Sequence, residues 1–483
     1  MNYKMLGRFI AQIIAMEAAF MIPALLISVG YGEDPAIEGF LITIGIMLAL
    51  SAGLYCLCRK AGKLFGAREG LACVGLSWIV MSLLGALPFV LCGQVESYVD
   101  ALFEIVSGFT TTGSSVIADV ESLYRGILYW RSFSHWIGGM GVLVFLLAIV
   151  PGDKNTGFTM HLLRAESPGP DVGKLVPRMR QTAMILYVIY IVLTVLNVIF
   201  LLAGGMHWLL ALCTAFGTAG TGGFGVFNTS LSGVSPYLQN VTTVFMFLFG
   251  INFSCYYLLL LGRLKSVAKD EELRLYVGLA IACVIALVLS IRHLYPTLEE
   301  TVRHAAFQVS SLMTTTGYTT TDFDLWPSIS KAILLLLMMV GACAGSTGGG
   351  LKCIRVVLLF KILRRNIRQI LNSRKVQVIR NNDKVVDEKV VGNINAYFAA
   401  YVIIIVLCTL ILSLDGFSLE TNLSAVLATV NNIGPGMAAV GPTCTFAAYS
   451  TLSKLTMCLA MLAGRLEIFP ILVLFSRSTW SRK

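Results

Sequence analysis

Charge is what this chain has least of. Only 13% of its 483 residues are Asp, Glu, Lys or Arg, against about a quarter in soluble domains, and that shortfall excludes an ordinary solvated surface. Histidine occurs five times, and the twelve cysteines show no repeated metal-ligand spacing. Most of the cysteines sit inside apolar stretches (Cys73, Cys213, Cys255, Cys283, Cys408, Cys458), while Cys56 and Cys58 lack a second pair, so they read as small core residues. No Walker or dinucleotide fingerprint is present, and no HExxH, GxSxG or paired His and carboxylate constellation lies in the apolar segments. A membrane enzyme is therefore a distant reading.

What the chain has is hydrocarbon. Hydrophobic residues make up 57% and mean hydropathy is +0.80. Stretches of roughly 20 apolar residues, enough to span a bilayer, recur near 9–30, 37–57, 71–92, 127–150, 182–203, 238–262, 275–295, 329–362, 394–414 and 450–475. The first carries Glu17, lacks a small-residue cleavage pattern and runs into a second span, so it is expected to stay as a helix. Ten spans put both termini on one side. With that side cytoplasmic, its segments hold 29 of the 36 basic residues, as the positive-inside rule requires. Fourteen of the 26 acids fall on the other side. The net charge of +10 is thus mostly a property of the inner face, and nucleic acid is excluded as a partner.

The outward connections of the last eight spans are too long for turns and too apolar for solvated loops, and they repeat. Tyr98–Phe109 precedes Thr110, Thr111, Thr112 and Gly113; residues 300–313 precede Thr314, Thr315, Thr316 and Gly317. Looser copies are His207–Phe216 before Thr221 and Gly222, and Leu419–Val430 before Asn431, Asn432, Ile433 and Gly434. Aligning Gly113, Gly222, Gly317 and Gly434 spaces the copies by 109, 95 and 117 residues, room for two spans, a re-entrant segment and a link. Non-helical backbone at membrane depth must be buried in protein or line a watery cavity. A short helix entering from outside points its partly negative carbonyl end inward. Four such ends stabilise a cation, and the next carbonyls replace its hydration shell, with Thr hydroxyls as further oxygen ligands. One Thr-Thr-Thr-Gly alone reads as a helix C-cap; four in the same topological slot read as a filter.

These loops resemble those of the Trk/Ktr/HKT superfamily of potassium transporters, most closely the bacterial TrkH type. The likeness covers nearly the whole chain and is carried further by Ser-His-Trp-Ile-Gly-Gly-Met-Gly at 134–141, Gly-Ala-Cys-Ala-Gly-Ser-Thr-Gly-Gly-Gly-Leu-Lys at 341–352, Ile-Gly-Pro-Gly at 433–436 and Gly-Arg-Leu-Glu-Ile-Phe at 464–469. It implies an all-α polytopic membrane protein of ten transmembrane helices, with four M1-P-M2 repeats around one pseudo-fourfold pore and two N-terminal helices outside it. The implied units are 1–66, then repeats at 67–152, 153–264, 265–375 and 376–483, the last opening with a cytoplasmic hairpin. The implied potassium filter is Thr111, Thr112, Gly113, Thr221, Gly222, Thr315, Thr316, Gly317, Ile433 and Gly434, with rubidium as surrogate ion; glycine rather than serine at 113 argues for potassium over sodium. No cofactor is implied. Further implications are a homodimer in the lipid of a bacterial inner membrane and a cytosolic nucleotide-binding ring of the TrkA type.

The eighth span, about 34 residues long, is interrupted at 341–350. Close packing through Gly341 and Gly345 is one account. Three consecutive glycines would destabilise a lipid-facing helix, so a broken helix lining a cavity is the other. Lying below the filter, Gly345, Ser346, Thr347, Gly348, Gly349 and Gly350 are the gate candidates, a role the resemblance also implies. Arg465 lies mid-span, where a cation faces a polar interior; beneath a filter it opposes cations and reaches gate carbonyls. Lys352 is either part of the gate or the first positive-inside residue. His135 and Trp136 read as inner-helix packing. The basic stretch 361–389 suggests a β-hairpin, Val376 to Ile379 against Lys384 to Val386, either plain inner-face charge or a dock for the regulator. A coupled secondary transporter remains the rival reading; it predicts broken helices in both halves, whereas the sequence suggests one.

Overall fold

The protein is described here from a computed structural model, over residues 1–59, 67–141, 179–372, 377–382 and 384–480. It is all-α apart from one two-stranded hairpin. Helices Tyr3–Tyr31 and Asp34–Leu57 open the chain, joined at Gly32, which takes φ 70°. Four repeats follow, each an outer helix, a short pore helix and an inner helix. The outer helices are Ala67–Gly85 continued by Leu87–Leu91, then Met179–Ala203, Glu271–Ile291 and Glu388–Leu412. Their Leu, Ile and Val side chains turn outward, Leu289 being 75% exposed and Leu410 62%, which only a lipid solvent makes favourable.

The pore helices are Tyr98–Phe109, Trp208–Ala219, Leu298–Met313 and Leu419–Val430. Three have 12 residues, about 18 Å, and the third has 16, about 24 Å, all short of the roughly 30 Å of hydrocarbon, so each ends inside the molecule. Residues 103–109 are all buried. Thr297 and Ser418 cap the third and fourth by accepting from Glu300 N–H and Thr421 N–H, and Asp100, Glu299, Glu300 and Glu420 lie in first turns where the dipole favours acids.

The inner helices depart most from expectation. Among the described residues six helices are long and apolar enough to span a bilayer unaided, and a bent pair counted as one span makes a seventh; the ten spans read from sequence do not all exist there as unbroken helices. The inner helix of repeat two, expected to run through 238–262, breaks by 89° between Pro236–Phe249 and Phe253–Leu260. That of repeat three breaks between Ser328–Met339 and Cys353–Leu371, as expected. That of repeat four breaks between Thr451–Arg465 and Phe469–Phe475, with Glu467 and Ile468 left-handed at φ 61° and 64°. In repeat one, Arg125–Met140 stops at Gly141, φ 81°; the rest of its expected span, 142–150, lies outside the described residues. The expectation of a single broken span is therefore wrong. Asn252 and Pro470 are the missed signals: the first caps Phe253–Leu260 by accepting from Ser254 N–H at 2.9 Å, and the second occupies the first turn of Phe469–Phe475.

Both termini meet at one end: Tyr3 Oη donates to Trp480 O at 2.7 Å and Arg68 Nε to Thr479 O at 2.9 Å. At the opposite end Glu33, between the two N-terminal helices, accepts Arg125 N–H at 2.5 Å and Gly126 N–H at 3.1 Å. It caps the inner helix of repeat one, whose own Tyr124 offers no cap. The hairpin pairs Arg380 with Val385 and Asn381 with Lys384, shifted from the expected strands; Val376 and Asp383 lie outside the described residues.

Candidate functional site

Each pore helix ends in the same turn. Thr111, Thr221, Thr315 and Asn432 are left-handed at φ 54–60°. The next residue closes back five positions, Thr112 N–H to Ser107 O, Gly222 N–H to Gly217 O and Thr316 N–H to Ser311 O at 2.8 Å, Ile433 N–H to Ala428 O at 2.9 Å. A positive-φ glycine follows: Gly113, Gly223, Gly317 and Gly434. This is a Schellman turn with a side-chain-bearing residue where glycine is usual. Three of the four are Thr, a costly occupant of that region, the fourth Asn, its best-tolerated non-glycine occupant.

The geometry corrects the sequence alignment. Gly223, not Gly222, is the counterpart of Gly113; Gly222 is the counterpart of Thr112 and Ile433. Neither Gly223 nor Asn432 is in the filter set that the resemblance implies. The signal was the polar residue two positions before each glycine, at 111, 221, 315 and 432.

The four turns close a ring. A Cβ on Gly113 would fall on Gly222 O, one on Gly223 on Thr316 O, one on Gly317 on Ile433 O, and one on Gly434 would meet Thr112 O at 3.0 Å. Each glycine thus faces the carbonyl of the next repeat, in the order one, two, three, four, one. These glycines are needed twice over, for φ and for close approach. Ser114 Oγ donates to Gly434 O at 2.9 Å at the seam between first and last repeats.

The threonine hydroxyls divide their work. Thr110 Oγ1 lies 2.8 Å from Thr112 Oγ1, and Thr314 Oγ1 2.7 Å from Thr316 Oγ1, while Thr110 and Thr314 also donate to Val106 O and Ser310 O. Thr112 and Thr316 hydroxyls, expected as ion ligands, are tied into these pairs. Only the middle residues differ: Thr111 Oγ1 has no partner among the described residues, and Thr315 Oγ1 accepts Gly349 N–H at 2.6 Å. Thr221 Oγ1 donates to Gly220 O, and Asn432 Nδ2 to Thr112 Oγ1 and Met461 O.

His135 braces the ring. Nε2 accepts Phe224 N–H at 3.2 Å and Nδ1 lies 2.7 Å from Gly108 O, which puts the proton on Nδ1. It thereby links the first pore helix to the second turn, more than inner-helix packing alone. Glu104, in the first pore helix, is fully buried and accepts from Arg131 Nε at 2.5 Å, Ser115 Oγ and Val116 N–H. Arg131 also donates to Gly225 O and lies 3.6 Å from the Phe224 ring centre. Removing one partner of a buried pair costs about 3–5 kcal/mol, so Glu104→Ala is expected to lower thermal stability in detergent markedly, and Glu104→Gln less, as followed by a melting curve. Outside the spans two clasps join neighbouring repeats. Asn228 donates to Asp119 at 2.8 Å and holds that carboxyl below its ordinary range; Asp324 accepts Ala438 N–H at 2.8 Å, its carboxyl pushed up by burial.

Below the ring lies the interrupted loop 340–352. It bonds or closely approaches repeats two, three and four, and is tied to repeat one through Arg465. Thr347 O accepts from Arg465 Nη1 at 2.7 Å, whose Nη2 donates to Gly138 O and, at 2.6 Å, to Gly139 O of repeat one. Cys343 N–H donates to Gly250 O, and Gly345 O accepts Phe253 N–H, both in repeat two. Gly349 N–H reaches Thr315 of repeat three, and a Cβ on Gly349 would lie 2.5 Å from Asn431 O of repeat four. Gly345 and Gly350 take φ 70° and 69°, and Ser346 Oγ donates to Cys343 O. Lys352 is buried, its Nζ donating to Gly348 O within the loop.

A family model described as "TrkH: Cation transport protein" matches residues 36–482. The chain is 34% identical over 486 residues to the "Trk system potassium uptake protein TrkH" of Escherichia coli strain K12, covering 99% of this chain and all of that one. It is 32% identical to the "Trk system potassium uptake protein TrkG" of the same strain, over 95% of each. The crystal structure of the "Potassium Transporter TrkH from Vibrio parahaemolyticus" superposes with a TM-score of 0.88 at 30% identity, over the full length of both.

Proposed function

The chain belongs to the TrkH family of cation transport proteins, and from that premise we propose that it takes potassium into the cell through a gated, carbonyl-lined pore. It is a membrane transport protein, not an enzyme, and potassium is the transported ion rather than a resident cofactor. The observation that carries the reading is the closed cycle of four close approaches at Gly113, Gly223, Gly317 and Gly434, which brings four partly negative helix ends and their following carbonyls to one place, as a cation filter requires. The filter assigned is residues 111–113, 221–223, 315–317 and 432–434. The gate assigned is Gly345, Ser346, Thr347, Gly348, Gly349, Gly350 and Lys352, held by Arg465. The proposal includes the units 1–66, 67–152, 153–264, 265–375 and 376–483, cytoplasmic termini in a bacterial inner membrane, a homodimer, and a TrkA-like nucleotide-binding ring docking near the hairpin; the positive-inside count and the meeting of the termini support this orientation.

Rubidium and potassium flux into vesicles, with and without a membrane potential, tests the pore. Flux that follows the imposed potential is expected. The breaks at 250–252 and 466–468 give a second reading some footing, because a coupled carrier uses broken helices; a fixed stoichiometry of potassium with sodium or protons would favour it. Within the pore reading, Gly113→Ser is expected to raise sodium entry relative to potassium, since its Cβ falls on Gly222 O and opens the ring at that seam. Sodium entry unchanged from the parent would remove the filter assignment.

A further inference from the structure

One carboxylate belongs neither to the ring nor to the Arg465 fork, yet it holds both ends of the loop. Breaking the third inner helix leaves the first amides of Cys353–Leu371 without intrahelical partners, and Lys352, at its N-cap, carries no acceptor. Another element fills the gap. Glu272, in the first turn of Glu271–Ile291, accepts Ile354 N–H at 3.0 Å and, on the same Oε1, Ala344 N–H at 2.6 Å. A single buried oxygen therefore clamps residues 344 and 354 across the loop.

The two preceding residues face the hairpin. Asn382 in the hairpin turn accepts Glu271 N–H on Oδ1 at 2.9 Å and donates from Nδ2 to Asp270 Oδ2 at 2.8 Å. Lys361 Nζ bonds the Glu271 carboxylate and, at 2.7 Å, Arg380 O in the first strand. Asp270 is also the N-cap of the helix, accepting Leu273 N–H at 2.9 Å. Three consecutive residues at one helix start are thus fixed to the hairpin on one side and to the loop on the other, so displacing the first two displaces the third.

We infer that Glu272 is the positioning residue that holds the loop closed, and that Asp270, Glu271 and Glu272 couple the hairpin to it; this rests on the loop's being the gate. A partner that shifts the hairpin would loosen the clamp without touching the pore.

The test is rubidium leak into vesicles containing the full chain and no other protein. Glu272→Ala and Asn382→Ala are each expected to raise leak by about 5-fold or more, the lower range of site-to-site coupling. The double variant should leak no more than the leakier single variant, because both act through one clamp. Glu272→Gln, which keeps the acceptor oxygen, should return close to the parent, whereas Glu272→Met, which keeps the volume without an oxygen acceptor, should leak like Glu272→Ala; packing alone predicts that both return. Deletion of 345–350 is run alongside. A leaking deletion with Glu272→Ala at the parent level overturns the clamp and leaves the gate standing; a tight deletion removes the gate reading and this inference with it. Additive effects in the double variant overturn the coupling. If Glu272→Ala does not fold, Asn382→Ala, an exposed hairpin change, decides alone, and parent-level leak there overturns the coupling.

Discussion

Gly223→Ala is expected to reduce rubidium uptake about 10- to 100-fold while the protein stays folded. The added methyl falls on Thr316 O of the neighbouring repeat, and its φ of 74° is one that alanine adopts only with strain. Overpacking of this kind costs about 1–3 kcal/mol, and each 1.4 kcal/mol is about tenfold. The obstacle is backbone, so no rotamer change relieves it. Relief must come from moving one repeat against the next, which spoils the spacing of carbonyls on which a dehydrated cation depends. Gly278→Ala is the control: that glycine, on the third outer helix, has nothing within 4 Å of an added Cβ, and uptake should match the parent. Uptake by Gly223→Ala at the parent level would show that the second turn does not take part in the filter.

Removing the lock should act in the opposite direction. Arg465→Ala deletes a guanidinium that bonds Thr347 O on the loop and Gly138 O and Gly139 O on the first inner helix. Hydrogen bonds from charged groups contribute about 1.5–3 kcal/mol each, so the closed arrangement should weaken by enough to raise leak about tenfold or more. A fixed positive charge below the ring also disappears, and with it a repulsion for any cation leaving the filter. Arg465→Lys should fall between the two, since one ammonium on a shorter reach does not reproduce the fork. Deleting 345–350 removes the loop's contacts with Arg465 and Thr315 together and should leave the pore open. Closed-state flux unchanged in both Arg465→Ala and the deletion would sink the gate assignment.

Much of this was legible in the chain because membrane solvent leaves little choice. Backbone polar groups in hydrocarbon must bond within their own segment, so long apolar runs without breakers, such as 182–203, read directly as helices. The Thr-Thr-Thr-Gly copies stood out because two of them are nearly identical. The second copy misled: Thr221-Gly222-Gly223 offers two glycines, and only the left-handed turn at Thr221 decides which one faces the neighbouring carbonyl. The burial of Glu104 is not legible locally, because its ion-pair partner Arg131 lies 27 residues away in sequence. Glu272 carried no sign of its role, since its partners at 344 and 354 are amides, which every residue except proline has.

The sequence by itself determined the solvent, the all-α class, the fourfold repetition and the presence of a break in the eighth span, because apolar length, the sidedness of basic residues and the positions of glycine act locally along the chain. Tertiary structure alone decided which glycine meets which carbonyl, that three inner helices rather than one break among the described residues, and that Arg465 and Glu272 both bond the loop. Those outcomes depend on donors and acceptors brought together from separate repeats. A backbone N–H or C=O without a partner in hydrocarbon costs too much to leave, so each break persists only where another element supplies the missing bond, and that supplier is fixed by packing in space rather than by order in the chain.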